Sequence, residues 1–241
     1  MEWRDEAVVI GVRAHGESSA IAELLTAEHG RFLGMVRGGR SRHMRPVLQP
    51  GNLIMVTWRA RLEEHMGVFA LEPLSLKAGF ILAHPLRLAG LNTLMGLAQM
   101  LPEREPHRRL YDASHIVLSQ MEDDTVWPAL LVRWELGLLD ELGFGLDLSR
   151  CASTGQEHDL NYVSPRTGRA VSKEAGLPYR EKLFHLPAFL NGAEGFEIDD
   201  VLEGFKLTGF FLERHVFGPR QIAMPSARAW LCESLKERLA A

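Results

Sequence analysis

Seven arginines fall between His29 and Leu62: Arg31, Arg37, Arg40, Arg42, Arg45, Arg59 and Arg61. No aspartate or glutamate interrupts them, although the whole chain carries a formal charge of −4. A guanidinium is always charged, presents a planar fork of donors that matches phosphate, and stacks on flat rings. A run of such groups without counter-charges points to a polyanion as ligand. The competing reading is a solvated loop that merely lacks acids. The centre of the run reads Val36-Arg-Gly-Gly-Arg-Ser-Arg-His-Met-Arg-Pro46. Gly38 and Gly39 let the backbone approach a bound strand and change shape. Phe32 and His43 are the nearby rings that could stack on bases, with Phe32 better suited to a core.

Covalent chemistry finds no comparable foothold. The chain has no Gly-Lys dipeptide for a phosphate loop, no Gly-x-Ser-x-Gly and no His-Glu-x-x-His. Gly143-Phe-Gly145 lacks a third glycine and a flanking strand, and reads as a helix C-terminus. The acid pairs Glu63-Glu64, Asp123-Asp124 and Asp199-Asp200 fall at turns or helix starts, where carboxylates complement the helix dipole. His15, His84 and His115 are scattered and read as surface or satisfied core residues. No residue is assigned a catalytic role, and neither an enzyme activity nor a cofactor is expected.

One stretch has the outline of a metal site. Cys151-Ala-Ser-Thr154-Gly155 resembles Cys-x-x-Cys-Gly with the second cysteine replaced, and Ser172-Lys-Glu-Ala175-Gly176 resembles the same knuckle with both replaced. A zinc site needs four thiolate or imidazole ligands at such spacing. Only Cys151 remains, with His158 nearby, so no metal is expected and Cys151 reads as a small buried residue.

These residues need elements to position them. Residues 1–80 carry ten Lys/Arg against nine Asp/Glu, and the remainder seventeen against twenty-two. The basic surface is therefore expected at the front of the chain. Residues 7–13 read as a strand, 19–26 as strand or helix, and 31–37 as a strand that Gly30 turns into a hairpin. Residues 38–51 read as a long loop, and long ordered loops are often functional. Residues 52–62 alternate: Ile54, Val56, Trp58, Ala60 and Leu62 share a face opposite Arg59 and Arg61. Trp58 is thus expected in the core. A fifth strand covers 66–74. Five short strands suggest an OB-fold barrel over 1–80.

After Pro85 the period changes to helical, giving segments ending near Pro102, over 107–121, after Trp127-Pro128, over 199–216 and over 226–239. The expected architecture is therefore α+β: a five-stranded OB-fold barrel, then a helical bundle domain over 81–241 with a degenerate zinc-ribbon-like insertion at about 146–178. The N-terminus has no apolar core of the signal-peptide kind, and no run reaches the roughly 18 apolar residues of a membrane span. Cys151 and Cys232 are expected to be reduced thiols, which suits a cytoplasmic protein.

Three segments carry a family resemblance. They are Val36–Gly51, then Trp134-Glu-Leu-Gly-Leu-Leu-Asp-Glu-Leu-Gly-Phe-Gly-Leu-Asp147, then Tyr162-Val-Ser-Pro-Arg-Thr-Gly-Arg-Ala-Val171. With the barrel, the helical tail and the four-cysteine outline, they resemble the RecO family of bacterial recombination mediators. The resemblance implies binding of single- and double-stranded DNA and annealing of complementary strands. It also implies engagement of the acidic C-terminal tail of single-stranded DNA-binding protein (SSB). It further implies work with RecR, and with RecF at some substrates, to load RecA. An SSB tail would want an apolar groove rimmed by cations, for which Arg133 beside Trp134 and Leu138, or Arg214 beside Phe211, are the candidates. The alternatives are a metal-dependent nuclease, or an RNA-binding or protein-interaction module on the same barrel.

Overall fold

In the computed structural model, which describes residues 1–239, the chain opens with five strands. They are β1 Glu2–His15, β2 Ser19–Thr26, β3 Gly30–Val36, β4 Leu53–Arg59 and β5 Val68–Ser75. They close into a barrel in the order β1-β2-β3-β5-β4, with β3 parallel to β5 and the other neighbours antiparallel. This is the expected OB-fold. β1 serves both sides of the closure. Its first half pairs with β4 and its second half with β2, with a register shift between Val9 and Gly11. A bulge of this kind bends a strand around a barrel corner. The apolar pattern of 7–13 marks only its middle, because its exposed ends carry polar residues.

β2 was ambiguous by pattern because it is apolar on both faces. Pairing on both edges makes it a strand. Its inward Ala20, Ala22 and Leu24 join Phe32, Val36, Ile54, Val56, Trp58 and Phe69 in the barrel core. The alternation of small and large residues fills a narrow interior. Trp58 is only 1% exposed, and its indole N–H donates to the Met66 carbonyl at 2.9 Å. It is a core residue, as expected.

Residues 38–51 are less irregular than expected. They contain one helical turn, α1 Met44–Val47, too short to leave a periodic signal. Val47 and Leu48 join the barrel core and plug its end. Asn52 fastens the plug. Its side-chain amide donates to the carbonyls of Pro46 (2.7 Å) and Val47 (3.2 Å), and its oxygen accepts from the Ala78 backbone N–H (3.1 Å). Ala78 begins α2 Ala78–Leu82, which is followed by α3 Pro85–Ala98 and α4 Arg108–Ser119. The chain between α3 and α4 lies on the barrel wall. The Arg104 N–H donates to the Arg31 carbonyl at 2.8 Å, and a Cβ on Gly30, whose φ is +69°, would overlap the Glu105 carbonyl. The chain divides into two compact units between Glu122 and Asp123. The boundary expected after residue 80 thus marks the end of the barrel strands, and the first unit runs on through α4.

The second unit contains α5 Trp127–Glu141, an irregular module, and the helices α7 Ile198–Leu212 and α9 Ser226–Leu239. The module holds a three-stranded sheet, β6 Leu160–Val163, β7 Ala170–Ser172 and β8 Phe184–His185, in the order β7-β6-β8, with α6 Lys173–Gly176 after β7. It extends past the expected limit at 178 because β8 returns to pair with β6. α7 runs into a π-helical turn, Glu213–Phe217, and then α8 Gly218–Arg220. No helix among the described residues is long and apolar enough to cross a membrane.

The two knuckle outlines meet inside this module. The buried Cys151 sulfur lies 3.4 Å from the Ser172 hydroxyl and accepts from the backbone N–H groups of Ser172 (3.2 Å) and Thr154 (3.5 Å). Burial alone would push this thiol up, but the donors outweigh it and bring it down to about 6. A serine, a threonine and an alanine at the other three positions offer no soft ligands. Among the described residues no group of three or more His, Cys, Asp or Glu could hold a metal. The donor set does not fit zinc.

The helices of the second unit are joined by a buried ion pair. Arg228 on α9 donates twice to Glu135 on α5, each bond 2.8 Å, and once to the Phe205 carbonyl of α7 at 2.6 Å. Thr208 on α7 also donates to Glu135. Glu135 is fully buried. Arg228→Met strands that carboxylate, and is expected to lower unfolding stability by about 3–5 kcal/mol in urea titration. Adding Glu135→Met should restore much of it; failure of the double variant to do so would assign the loss to packing.

Candidate nucleic-acid interface

Phosphate recognition by arginine needs guanidinium groups that are exposed, uncommitted and carried on a fixed frame. The frame is visible first. At the end of β3, Gly38 turns the chain with φ +65°. Gly39 presses against β2, where a Cβ would stand 2.8 Å from that of Ala20. The Arg40 backbone N–H donates to the Ser18 carbonyl at 3.0 Å. Its guanidinium donates to the carbonyls of Gly16 and Glu17, both at 2.9 Å. The loop is thus stitched to the β1–β2 turn. The Arg45 N–H then donates to Ser41 (3.0 Å) and that of Leu48 to Met44 (2.9 Å), leading into the plug.

On this frame Arg37, Arg42 and Arg45 are exposed, and none makes a side-chain hydrogen bond or ion pair among the described residues. Arg40 is exposed but partly spent on the turn. Arg61 is exposed. Arg59 pairs with Glu2 at 2.9 Å, with both side chains mostly in water; such a pair is weak and exchangeable. Arg31 differs. Its side chain is 16% exposed, pairs with Glu23 and Glu103, and donates to the Leu101 carbonyl at 2.6 Å. Its guanidinium is consumed in fastening β3 to the segment after α3, which leaves little for a phosphate.

The arginines do not converge on one groove. Arg40, Arg42 and Arg45 lie at the plugged end, whereas Arg59 and Arg61 follow the far end of β4. Arg37 stands between the two groups. Met35, Val68 and Arg59 form one row across β3, β5 and β4, so Arg59 is two strand spacings, about 10 Å, from Met35. Two residues along the strands, Thr57 pairs with Ala70. This arrangement makes a track over the barrel wall.

Arg13 went unnoticed in the sequence because it stands alone between Val12 and Ala14. Strand pairing sets it opposite Ile21, beside a depression of about 300 Å³ shared with Glu23, Arg31 and Gln99. Of the candidate stacking rings, Phe32 is buried in the core and His43 is exposed.

Neither apolar groove imagined for an SSB tail exists as expected. Trp134 and Leu138 beside Arg133 are fully buried, because they face the interior stripe of α5. Arg133 itself donates to the Phe189 carbonyl at 2.7 Å. Phe211 beside Arg214 is also buried. The exposed ring there is Phe210, 6.0 Å from the Arg214 guanidinium and 5.0 Å from Phe184.

Frame and face should separate on mutation. Asn52→Ala removes three buried hydrogen bonds and is expected to lower unfolding stability by about 1–3 kcal/mol in urea titration. Arg42→Ala should shift it by no more than about 0.5 kcal/mol. Equal effects would contradict the division.

The sequence is similar to known proteins over nearly its full length. A family model described as Recombination protein O N terminal matches residues 1–74, and one described as Recombination protein O C terminal matches 84–221. A DNA repair protein RecO of Mesorhizobium japonicum is 50% identical over 239 residues, covering 98% of this chain and 94% of the relative. One of a Chelativorans species is 49% identical over 241 residues, covering 99% and 97%. One of Methylorubrum extorquens is 50% identical over 236 residues, covering 95% and 96%. An OB-fold barrel that carries exposed arginines on an anchored loop, followed by a helical unit, here accompanies likeness over nearly the full length: the chain belongs to the Recombination protein O family.

Proposed function

We propose that the chain is a recombination mediator in DNA repair that works by binding and not by catalysis. The observation that carries this reading is the set of exposed, uncommitted arginines, Arg37, Arg42 and Arg45, on a loop fixed to an OB-fold barrel. Arg61 and Arg59 extend the track, Arg40 anchors the loop to the β1–β2 turn, and Arg31 is spent on fastening β3. Each arginine that neutralises a phosphate releases counterions, so affinity should fall steeply with salt and depend little on sequence. Single strands add stacking on guanidinium planes and on His43. Double strands engage through phosphates alone.

Annealing follows from the same chemistry. Two strands held on one basic surface repel each other less, and no proton transfer or covalent step is needed. The helical unit would recruit the acidic, apolar-ended SSB tail. Exposed Phe210 with Arg214 suits such a tail better than Arg133, whose apolar neighbours are buried. Contacts with RecR, and with RecF at some substrates, would then couple the DNA-bound protein to RecA loading. The cytoplasm and nucleoid are the corresponding location.

The test is a salt titration of oligo-dT binding. Arg37→Ala/Arg42→Ala/Arg45→Ala should weaken binding and reduce the salt slope by about 2, from about 0.7 per lost phosphate contact. The thermal unfolding profile should be unchanged. Wild-type affinity and slope in the triple variant would refute the site. Cleavage of the strand with Mg²⁺, or preference for RNA of matched sequence, would refute the function. Titration of an SSB tail peptide against Arg214→Ala tests the second surface, and undiminished affinity would reject it.

A further inference from the structure

At the end of β4 away from the plug, the barrel opens into a cavity of about 470 Å³, lined among others by Trp3, His29, Phe32, Trp58 and Arg104. A cavity of this size holds a side chain or small ligand comfortably. Its walls are aromatic. His29 and Trp3 stack with ring centroids 4.1 Å apart and planes 10° apart, and Trp3 stacks on Trp58 at 5.7 Å. The rings are held in place. The Trp58 indole N–H donates to the Met66 carbonyl, and His29 Nδ1 lies 3.0 Å from the Asp5 carboxylate.

The rim has the opposite charge to the arginine loop. The segments that form it, residues 1–6, 28–29, 63–65 and 103–106, hold eight carboxylates against two arginines and the Met1 ammonium, which donates to the Ala60 carbonyl at 2.8 Å. Both arginines are engaged: Arg4 with Glu72 at 2.8 Å, and Arg104 with the carbonyls of Glu63, Glu64 and His65. Glu2, Glu28 and Glu63 line the cavity. Glu2 and Glu28 form exposed pairs with Arg59 and Arg108, which exchange readily. The Glu63 carboxylate makes no ion pair among the described residues. Aromatic faces carry a negative quadrupole, and carboxylates beside them deepen the attraction for a cation. A phosphate chain would meet repulsion in the same place. The fit of a guanidinium is visible in the protein itself, since Arg104 lies over the Phe32 ring at 4.6 Å.

We propose that this cavity docks a basic segment of a protein partner, seating one arginine or lysine stem against the Trp3–His29 wall with its charge beside Glu28 and Glu63. The cavity and the arginine loop lie at opposite ends of β4. The five steps from Leu53 to Trp58 span about 17 Å, so DNA on the loop leaves the cavity open, whereas DNA that follows the track to Arg59 meets the rim at Glu2, which Arg59 pairs with. The inference does not depend on the DNA reading, because its charge is reversed.

Proton–nitrogen correlation spectra of the full chain test it, read at the indole N–H signals of Trp3 and Trp58. The probe is the blocked peptide acetyl-Gly-Arg-Gly-Arg-Gly-amide, compared with its citrulline counterpart and with an oligo-dT strand. The arginine peptide should shift the Trp3 signal saturably, and Glu28→Gln/Glu63→Gln should weaken that binding about tenfold. The citrulline peptide should leave Trp3 unmoved, and oligo-dT should move signals of residues 37–45 instead. No saturable Trp3 shift by the arginine peptide, an equal shift by the citrulline peptide, or equal affinity in the glutamine variant would each overturn the proposal. Oligo-dT binding is measured in the same series, so a failure here is distinguishable from a failure of the DNA reading.

Discussion

A closed barrel has two ends, and each must be sealed against water. Here the seal at one end is Val47 and Leu48, delivered by the connection from β3 to β4. That requirement governs the arginine stretch. Because two of its residues must enter the core, the chain just before them has to run across the barrel mouth. Met44 packs against the same core, and Arg37, Arg42 and Arg45 are left exposed. Asn52 and the bonds from Arg40 to the β1–β2 turn fix the path. The outward placement of these charges is therefore a consequence of how the barrel is closed. A loop free in solution would lose much of its binding energy to ordering.

The two ends then diverge in character. The plugged end exposes a loop of arginines, with Glu17 of the β1–β2 turn beside it, and the other end surrounds an aromatic cavity with carboxylates. A net charge near zero over residues 1–80 conceals this separation. The helical unit solves a different problem with a different device. Its helices are tied by one buried carboxylate that accepts from Arg228 and Thr208. Such a pair contributes little net stability over an apolar core, but it tolerates few alternative packings.

Much of this could be read from the sequence. The strand alternation around Trp58 matches the core up to Arg59, where β4 ends, while Leu62, expected on the same face, is exposed. The acid-free run of arginines marks the surface proposed here for a polyanion, and the glycines marked its turns. What could not be read was what each arginine touches. Arg31 and Arg37 bracket the same apolar strand, yet Arg31 is consumed by Glu23, Glu103 and Leu101 while Arg37 is exposed. The difference arises from residues some seventy positions away. The same limit applies to Trp134 and Leu138, whose stripe could face a groove or a core. It applies also to Arg13, which only strand pairing brings beside Arg31. One-turn α1 was too short to show a period, and the extent of β1 was hidden by its polar ends.

The central claim is that a loop made rigid by barrel closure is the DNA-binding surface. Hydrogen–deuterium exchange of the full chain with and without oligo-dT tests it most directly. Added protection concentrated in residues 37–45 and in the β1–β2 turn that holds them is the result this structure predicts. Protection confined to residues beyond Asp123, with the loop unchanged, would contradict it.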